Sequence, residues 1–488
     1  MSCWPRNPPF EMNRRLLSFA GLVLLLMVLA GSALADEPFD ITRIAAKISR
    51  EQLLETVRTL SGFDGRQSGT PGGVRASTYI VQRLPAAVLQ SFSIQTVEIA
   101  SPVRAHIRSG ARNLILRNGV DFLPILSRAS ATELSGSVVF VGYGIGDTAG
   151  GLDEYRNISV TGKIVLFLRG QPKAYAGRVT QADKEKTARA KGAVGYLTVT
   201  GPILSPYEQR RGMTTQPMGS YDGTDLPLPG LWITPSVADL LLEPISLTLE
   251  SFQQAMGASV SNRSKETGSQ ITLTMEQHHL NATAANVLGF WSGSDPELQH
   301  ELVILGAHYD HFGIQGDILF PGADDNASGT AVLLEVARVL RSAGIRTKRS
   351  LVFIAFAGEE QGLLGSRFYV SNPGRPLGLT KAMINVDHAG AGNGKITIGL
   401  SRIEKAQAQA AGESIGLRDQ IELFGFFPGG DHVPFSEAGV PTAAIVSSGA
   451  HPDFHRPSDT AERLNPEILL PVARYTLSLL LTLAMSDP

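Results

Sequence analysis

The sequence predicts an α/β protein in which a sheet is covered by helices, with a separate β-rich segment inserted into it. From residue 286 to 488, strand-like apolar runs alternate with helix-like amphipathic runs, a pattern typical of a sheet packed between helices. Two runs rich in β-branched residues, 302–305 and 351–356, are short enough to be buried parallel strands. Residues 332–343 between them carry apolar side chains at helical spacing and end at Gly344, which completes a strand–loop–helix–strand unit.

Length and composition describe an ordinary globular chain. At 488 residues the chain exceeds what one hydrophobic core usually contains, so two domains are expected. Hydrophobic residues make up 43% of the chain and the formal net charge is -2. Neither value indicates a nucleic-acid partner or an acidic binding surface.

The first 35 residues are predicted to be a secretory signal peptide. Arg14 and Arg15 precede an apolar run at 16–30, and Ala33-Leu34-Ala35 supplies a small-x-small cleavage pattern. A transmembrane anchor is the alternative, but the run is short and the cleavage pattern follows it at once. We therefore expect export to a periplasm or to the medium, with no stable membrane anchor after cleavage. Translation from Met12 would give the same signal peptide.

Cys3 is the only cysteine and precedes the predicted cleavage point. The mature chain would therefore contain no disulfide, no thiolate metal ligand and no cysteine nucleophile. No cysteine follows the apolar run to carry a lipid, which argues against lipoprotein anchoring.

We divide the rest of the chain into the N-terminal part of the main domain at 36–134, an inserted β-rich domain at 135–255, and the core of the main domain at 256–488. Residues 41–89 are predicted to be mainly helical. Within them, the glycine-rich loop GFDGRQSGTPGG carries Arg66, and this loop is either a plain helix connection or a segment near the site. The inserted block has short strands and frequent glycines, with one predicted helix at 184–191.

Ionisable side chains follow several of the predicted strands. His308 follows the first strand of the unit, Glu359 and Glu360 follow the second, and Asp387 and His455 follow later strands. In open α/β sheets, sites form beyond the carboxyl ends of the strands. Packing alone explains such a set poorly, because unpaired charges beside a buried sheet are costly. Imidazoles and carboxylates together are what a hydrolytic di-metal site requires.

The loop GADDNASG offers two neighbouring acids, Asp324 and Asp325, just before the predicted helix. The alternative to a metal-binding role is helix capping by Asp325 or Ser328. Asp310, two residues after His308, is placed to orient that imidazole and raise its basicity. Asp459 is a candidate for the same role towards His455.

The paired glutamates are enclosed by small and apolar residues, AG before them and GLLG shortly after them, so they are not a surface charge run. One of them can bind metal while the other takes a proton from the attacking water. The residues alone leave open which of Glu359 and Glu360 does which.

The ordered motifs GAHYDH, PGADDNASG, AFAGEEQGLLGS, INVD, GGDHVPF and FHRPSDT resemble those of the secreted bacterial di-zinc aminopeptidases. That family also includes glutamate carboxypeptidases and transferrin receptors, and the likeness runs from residue 286 to the end. GRQSGTPGG is similar to the family's N-terminal segment. SVVFVGYGI, DEYRN and GKIVLFLRG in the inserted block resemble a protease-associated (PA) domain.

The resemblance implies a phosphorylase/hydrolase-like three-layer α/β/α domain that binds two Zn²⁺ ions. It implies that Asp325 bridges the ions and that its peptide bond to Asn326 is cis. It also implies that His308 and Asp387 bind one zinc, that Glu360 and His455 bind the other, and that Glu359 is the general base.

One feature departs from the family pattern, and the role of one histidine stays open. Asp387 is followed by His388 and AGAGNG, where relatives usually have an apolar residue and a longer polar stretch, so the adjoining pocket differs. His432 in GGDHVPF is a substrate-side residue, an outer residue that supports a metal ligand, or a structural histidine.

The expected function is a secreted zinc exopeptidase, specifically an aminopeptidase acting on peptides with a free N-terminus. No arginine cluster near the motifs offers a partner for a substrate carboxylate, although Arg66 and Arg402 stay open as distant candidates. The alternatives are a carboxypeptidase or a glutaminyl cyclase on the same scaffold, and a non-catalytic binding protein. Co²⁺ or Mn²⁺ could occupy the same mixed nitrogen and oxygen site.

Overall fold

A computed structural model describes residues 40–127, 133–147, 151–205, 208–209, 214–218, 220–222 and 228–487. The predicted signal peptide, with Cys3, lies outside the described residues. The α/β class predicted from the sequence is confirmed, because the described chain forms a mixed sheet covered by helices.

Three helices open the described chain: α1 at Ile41–Ala45, α2 at Arg50–Ser61 and α3 at Pro71–Val81. Side-chain caps start α2 and α3, since Ser49 accepts the N–H of Gln52 and Thr70 accepts the N–H of Gly73. The predicted helical region was too long. Pro85 follows α3, and residues from Val88 onwards form the strand β1, Val88–Ser109, instead of a helix. Strand β2, Arg112–Leu116, pairs back onto β1.

The β-rich block extends the same sheet. Its strands β4, β7, β8 and β10 pair in parallel, and β3 joins antiparallel to β10. Its strands are β3 Phe122–Ser127, β4 Glu133–Phe140, β5 Gly146–Asp147, β6 Leu152–Asp153, β7 Ile164–Leu168, β8 Gly195–Val199, β9 Ser220–Asp222 and β10 Gly230–Ile233. Its helices are α4 Gln181–Ala190, α5 Pro235–Leu242 and α6 Leu249–Ala258.

The pairing of β3 shows that this block recruits a strand from before residue 135, across more than a hundred residues of sequence. Buried apolar clusters surround side chains of the block such as Phe140, Phe167 and Phe252, and one of these clusters also includes Ile107 of β1 and Phe312 from beyond the block. The assignment of residues 135–255 to a PA domain stays a prediction.

One long strand links the two parts of the sheet. Strand β11, Lys265–Trp291, pairs antiparallel with β1 along most of its length, with β4 near its start and with the main-sheet strand β15, Ser350–Phe356, at its end. The chain therefore leaves the main sheet along β1 and returns along β11, as expected for an inserted block.

The main sheet has the strand order β18-β17-β19-β16-β12-β15-β11. Strands β15, β12, β16 and β19 are parallel to their neighbours within that group. The bounds are β12 Leu302–His308, β13 Gly313–Gln315, β14 Ile318–Phe320, β15 Ser350–Phe356, β16 Thr380–Val386, β17 Ile396–Ser401, β18 Ile421–Phe424 and β19 Thr442–Ser447. The accompanying helices are α7 Gly329–Ser342, α8 Leu364–Ser371, α9 Lys405–Glu413, α10 His432–Glu437 and α11 Pro466–Met485.

Helices cover both faces of this sheet. In β12, Val303 and Leu305 pack with α7 and α11, whereas Leu302 and Ile304 pack on the other face with Tyr369 of α8 and Phe435 of α10. The alternation follows from the two-residue period of a strand. The three layers that the motifs implied are therefore present.

Helix α11 is long and apolar enough to cross a membrane by length and composition. Most of that helix is buried inside the protein, including Tyr475, Leu477 and Leu480. It is therefore a core helix that packs against the sheet.

Candidate metal centre and active site

The predicted site residues meet at one edge of the sheet. His308 is the last residue of β12, Asp387 directly follows β16, and Glu359 and Glu360 follow β15 within four residues. His455 lies in the loop after β19. Because β15, β12, β16 and β19 are neighbouring parallel strands, their carboxyl ends lie side by side. The structure thus brings together residues from four chain segments, and all of these residues line one cavity.

A fifth segment, the acidic loop Ala323–Ser328, brings Asp325 to the centre of the group. The peptide bond between Asp325 and Asn326 is cis, as the resemblance implied. Asn326 Oδ1 accepts the N–H of Gly329 at 2.8 Å and its Nδ2 donates to Val386 O at 2.9 Å. Ser328 Oγ instead donates to Asp324 O at 2.6 Å and makes no cap on α7. The helix-capping alternative for Asp325 and Ser328 is therefore wrong.

Three donors surround one possible metal position. His308 Nε2 lies 3.4 Å from Asp325 Oδ1 and 3.4 Å from Asp387 Oδ1. Ligands about 2.0–2.1 Å from a tetrahedral zinc are about 3.3–3.4 Å from one another. The Glu359 carboxylate also lies in the group that His308 and Asp387 form.

A second group shares Asp325. His455 Nε2 lies 2.9 Å from Asp325 Oδ2 and 3.4 Å from Glu360 Oε2. His311 Nδ1 lies 2.6 Å from Glu360 Oε1, and its ring is fully buried. His311 was not among the site residues predicted from the sequence. The available signal was its position in GAHYDH, three residues after His308 and in the same turn of chain.

A further observation indicates that this set of donor atoms would bind cations. Asp325 Oδ2 and Asp387 Oδ1 are buried oxygens that accept no hydrogen bond of ordinary geometry among the described residues, and the imidazoles of His455 and His308 face them. Burial raises the pKa values of the Glu359 and Glu360 carboxyls well above the ordinary value, and the Asp325 carboxylate raises that of Glu360 further. Several carboxylates are thus held together, and the imidazoles of His308 and His388 face them. Mixed imidazole and carboxylate ligands in this arrangement fit zinc.

The side chain of Asp459 binds the backbone of the acidic loop. Its carboxylate accepts the N–H groups of Asp324 at 2.8 Å and Asp325 at 3.0 Å. The prediction that Asp459 orients His455 was wrong, because these hydrogen bonds commit both of its oxygens to the loop backbone. Sequence spacing could not show this, since Asp324 and Asp459 are more than 130 residues apart.

Asp310 partly fulfils the role predicted for it. Its carboxylate Oδ1 lies 3.7 Å from His308 Nδ1, whereas its main-chain oxygen is closer to that nitrogen, at 3.3 Å. The same Oδ1 accepts the N–H of Glu359 at 3.2 Å. Asp310 therefore supports both the His308 ring and the segment that carries the glutamates.

Arg66 is a structural partner of the site. Its guanidinium is fully buried and donates to the carbonyl oxygens of Leu60, Tyr309, Pro321 and Gly322 at 2.6–3.2 Å. Tyr309 lies inside GAHYDH, and Pro321 and Gly322 lead into the acidic loop. The glycine-rich loop of the N-terminal segment therefore lies near the site, which decides between the two readings of that loop.

The part of the chain that carries these motifs matches a known protein family. Residues 286–480 match Peptidase family M28. Over that range the chain is similar to M28 peptidases. The range contains all six of the residues from which the metal centre was built.

The chain is also similar to individual known proteins in sequence and in fold. Aminopeptidase YwaD of Bacillus subtilis is 33% identical over 235 residues, which is 44% of this chain and 49% of YwaD. The chain thus matches about half the length of this curated relative. The structure is similar to that of an aminopeptidase from Aneurinibacillus sp. strain AM-1, with TM-score 0.65 and 22% identity over 92% of this chain and 97% of the other. It is also similar to BSAP, a zinc aminopeptidase from Bacillus subtilis, with TM-score 0.61 and 23% identity over 88% and 94% of the two chains. These two likenesses confirm the fold.

The cavity lined by the metal-site residues has a volume of about 520 Å³. The metal-site residues form its polar end, and Leu423, Phe424, Phe427, Val446 and Phe454 contribute an apolar wall. The Phe424 and Phe427 rings stack with their centroids 5.4 Å apart. A cavity of this kind can hold one amino-acid side chain beside a hydrolytic centre.

His432 lines the same cavity, and its Nε2 lies 3.1 Å from Phe427 O. Burial lowers the pKa of its imidazole. The ring is therefore a neutral donor to Phe427 O. Of the roles left open for His432, the structure favours support of the substrate-side wall.

Proposed function

We propose that this chain is a zinc-dependent aminopeptidase that removes N-terminal residues from peptides. The observation that carries the proposal is the shared carboxylate of Asp325. Its two oxygens face two different imidazoles, His308 at 3.4 Å and His455 at 2.9 Å, as a residue that bridges two metal ions would.

Two zinc ions are proposed, each with its own ligands. His308 and Asp387 would hold one ion, Glu360 and His455 would hold the other, and Asp325 would belong to both. Zinc at such a site lowers the pKa of water and polarises the substrate carbonyl. Co²⁺ and Mn²⁺ accept the same mixed nitrogen and oxygen donors and are expected to substitute.

Glu359 is proposed as the general base. Its carboxylate lines the cavity beside His308 and Asp387, yet these residues together with Asp325 complete a donor set without it. It would take a proton from the attacking water and return that proton to the leaving amine. Enclosure in the cavity raises the pKa of this carboxyl, which makes the carboxylate a stronger base than an exposed glutamate.

The cavity lining favours a substrate with a free amino group over one with a free carboxylate. Among the described residues that line it, carboxylates are frequent and neither arginine nor lysine occurs. The two arginines left open by the sequence do not contribute. Arg66 is committed to four carbonyl oxygens, and Arg402 donates to Ser436 O outside the cavity. A carboxypeptidase would require a cation for the substrate carboxylate.

The apolar wall is proposed to hold the side chain of the N-terminal residue. Phe424, Phe427 and Val446 would contact it, so hydrophobic N-terminal residues would be preferred over glycine. A non-catalytic binding role is disfavoured, because the base and all five proposed ligands are present and converge.

We further propose that the protein is exported and that residues 135–255 are a PA domain. The first rests on the signal-peptide pattern at 14–35 and the second on the motifs SVVFVGYGI and GKIVLFLRG. N-terminal sequencing of the protein from the periplasm or medium checks the cleavage after Ala35. Recovery of an intact N-terminus in the cell pellet would contradict export.

Three substrates separate aminopeptidase activity from its alternatives: a leucyl nitroanilide, an N-blocked dipeptide and a peptide with N-terminal glutamine. Purified protein should release nitroaniline and leave the blocked dipeptide intact. Hydrolysis of the blocked dipeptide alone would indicate a carboxypeptidase. Cyclisation of the glutaminyl peptide alone would indicate a glutaminyl cyclase.

Variants at the paired glutamates test the assigned roles. Glu359→Gln should keep both metal ions by elemental analysis and lose about 10²- to 10⁴-fold in kcat, the usual contribution of a general base. Glu360→Gln is the matched control and should lose one ion. His308→Ala should also lower the metal content. Near wild-type turnover in Glu359→Gln would show that another residue is the base.

A further inference from the structure

His388, which directly follows the proposed ligand Asp387, faces the metal-binding carboxylates. Its Nε2 lies 3.7 Å from Asp387 Oδ1 and 3.9 Å from Asp325 Oδ2. These separations exceed the 2.7–3.2 Å of a hydrogen bond, so the ring does not simply donate to either carboxylate. The three side chains nevertheless present donor atoms that all lie within 4.8 Å of one another.

The oxygens that His388 faces accept no hydrogen bond of ordinary geometry, although the imidazoles of His308 and His455 lie close to them. Asp387 Oδ1 and Asp325 Oδ2 are buried and make no hydrogen bond within the described parts of the chain, and the Asp325 side chain is only 3% exposed. Buried carboxylate oxygens without donors are costly unless a cation binds them. Asp387 Oδ1 also lies 3.4 Å from His308 Nε2, so both imidazoles approach the oxygen that the first metal ion would bind, whereas Asp325 Oδ2 faces His455 and the second ion.

The second ring nitrogen of His388, Nδ1, faces the carboxylate of Asp324. This nitrogen is buried and lies 3.7 Å from Asp324 Oδ2. Asp324 is itself held, because its Oδ2 lies 2.6 Å from His451 Nδ1 and its Oδ1 accepts the N–H of Gly390 at 2.7 Å. Metal-binding histidines usually donate their second ring nitrogen to a carboxylate, and Asp324 is the carboxylate on that side of the His388 ring, although 3.7 Å is longer than a hydrogen bond.

Aromatic contacts hold the ring in place. Its centroid lies 4.9 Å from that of Phe454 and 5.3 Å from that of His451. The backbone at His388 is left-handed, with φ 46°, so this ring enters the site from a turn that few non-glycine residues adopt. Ring and backbone together direct Nε2 towards Asp387 and Asp325.

We propose that His388 is a further ligand of the metal ion held by His308 and Asp387. That ion would have two imidazoles, from His308 and His388, and two carboxylates, from Asp325 and Asp387. The other ion would have one imidazole, from His455. The inference rests on the proposed metallopeptidase function, and it makes the two metal positions chemically unequal.

The test compares Co²⁺ binding by the full protein with that of two variants. His388→Asn removes the imidazole and tolerates a left-handed backbone, and His388→Gly relieves that backbone and leaves room for free imidazole. His278→Asn is the control, because it removes an imidazole that is 49% exposed and lies outside the cavity. Metal-depleted proteins are titrated with Co²⁺ against a competing chelator, and the visible absorption of bound Co²⁺ is recorded.

Both His388 variants should bind one of the two ions at least about tenfold more weakly, the size of effect expected for a residue of the metal environment. The Co²⁺ absorption spectrum should change, and added imidazole should restore it in His388→Gly. The control should match the wild type in affinity and spectrum. Circular dichroism establishes that each variant is folded, and either folded His388 variant suffices for the test.

Wild-type affinity and an unchanged spectrum in a folded His388 variant would overturn the proposal while leaving the peptidase function intact. A wild-type protein that binds no Co²⁺ and releases no nitroaniline would overturn both. Weakened binding that imidazole does not restore in His388→Gly, with an unchanged Co²⁺ spectrum, would also reject direct ligation, because it would indicate a purely structural effect.

Discussion

Replacement of Arg66 by methionine tests how the N-terminal segment supports the metal centre. The guanidinium is 0% exposed and donates from Nε to Tyr309 O at 2.8 Å and from Nη2 to Gly322 O at 2.7 Å. Nη1 donates to Pro321 O at 2.6 Å and to Leu60 O at 3.2 Å. Burial lowers its pKa to about 10, so the group is still a cation at neutral pH.

The expected loss follows from these four contacts. Each carbonyl oxygen left without a donor costs about 1–3 kcal/mol, but neighbouring groups relax and water enters, so the costs do not add in full. Single substitutions rarely exceed about 4–5 kcal/mol. We therefore expect Arg66→Met to lower the free energy of unfolding by about 3–5 kcal/mol. Arg66→Lys should lose less, because one ammonium can replace only part of the planar fork.

Urea unfolding followed by circular dichroism measures these losses. The control is Arg75→Met, in the following helix, because Arg75 pairs with Asp64 at the surface and is 45% exposed. Exposed pairs contribute about 0–1 kcal/mol, so this variant should unfold close to the wild type. Equal unfolding free energies for Arg66→Met and Arg75→Met would refute the claim that Arg66 anchors the acidic loop.

Three further outcomes are expected. His311→Gln removes the ring that contacts Glu360 Oε1 at 2.6 Å, so metal at that position should bind about 10- to 100-fold more weakly in a chelator titration. Unchanged metal affinity would contradict this role. Because Glu359 acts as a carboxylate and its pKa is raised, kcat should fall as the pH decreases through a value above 4.5, and Glu359→Gln should lack this limb in a pH–rate profile. An identical limb in both proteins would assign it to another group. Phe427→Ala should lower the ratio of kcat/KM for leucyl nitroanilide to kcat/KM for alanyl nitroanilide by about 5- to 100-fold. This change corresponds to about 1–3 kcal/mol of lost apolar contact. An unchanged ratio would show that the N-terminal side chain binds elsewhere.

The buried strands and the position of the site could be predicted from the sequence. Apolar runs such as 302–305 and 351–356 reveal buried strands, and sites in such sheets lie at the carboxyl ends of the strands. His308, Asp387 and Glu360 could therefore be placed together without coordinates. The motifs around them added the division of roles between Glu359 and Glu360, which residue types alone did not decide.

Contacts between distant segments were not accessible in the same way. The Asp459 carboxylate was assigned to His455 because the two are close in sequence, yet it binds the backbone of Asp324 and Asp325. Strand β3 was placed before the inserted block, yet it pairs with β10. In both cases several partners were compatible with the local pattern, and only the packing of the whole chain selects one.

The sequence by itself determined the α/β class, the carboxyl-end location of the site and the set of residues able to bind metal, because these depend on local periodicity and side-chain chemistry. Only the tertiary structure decided which side chains support that set. Arg66 beneath the acidic loop, His311 against Glu360, and His388 facing Asp387 and Asp325 depend on distances of a few ångströms between atoms. Sequence patterns place residues on strands and loops, but they do not specify such distances.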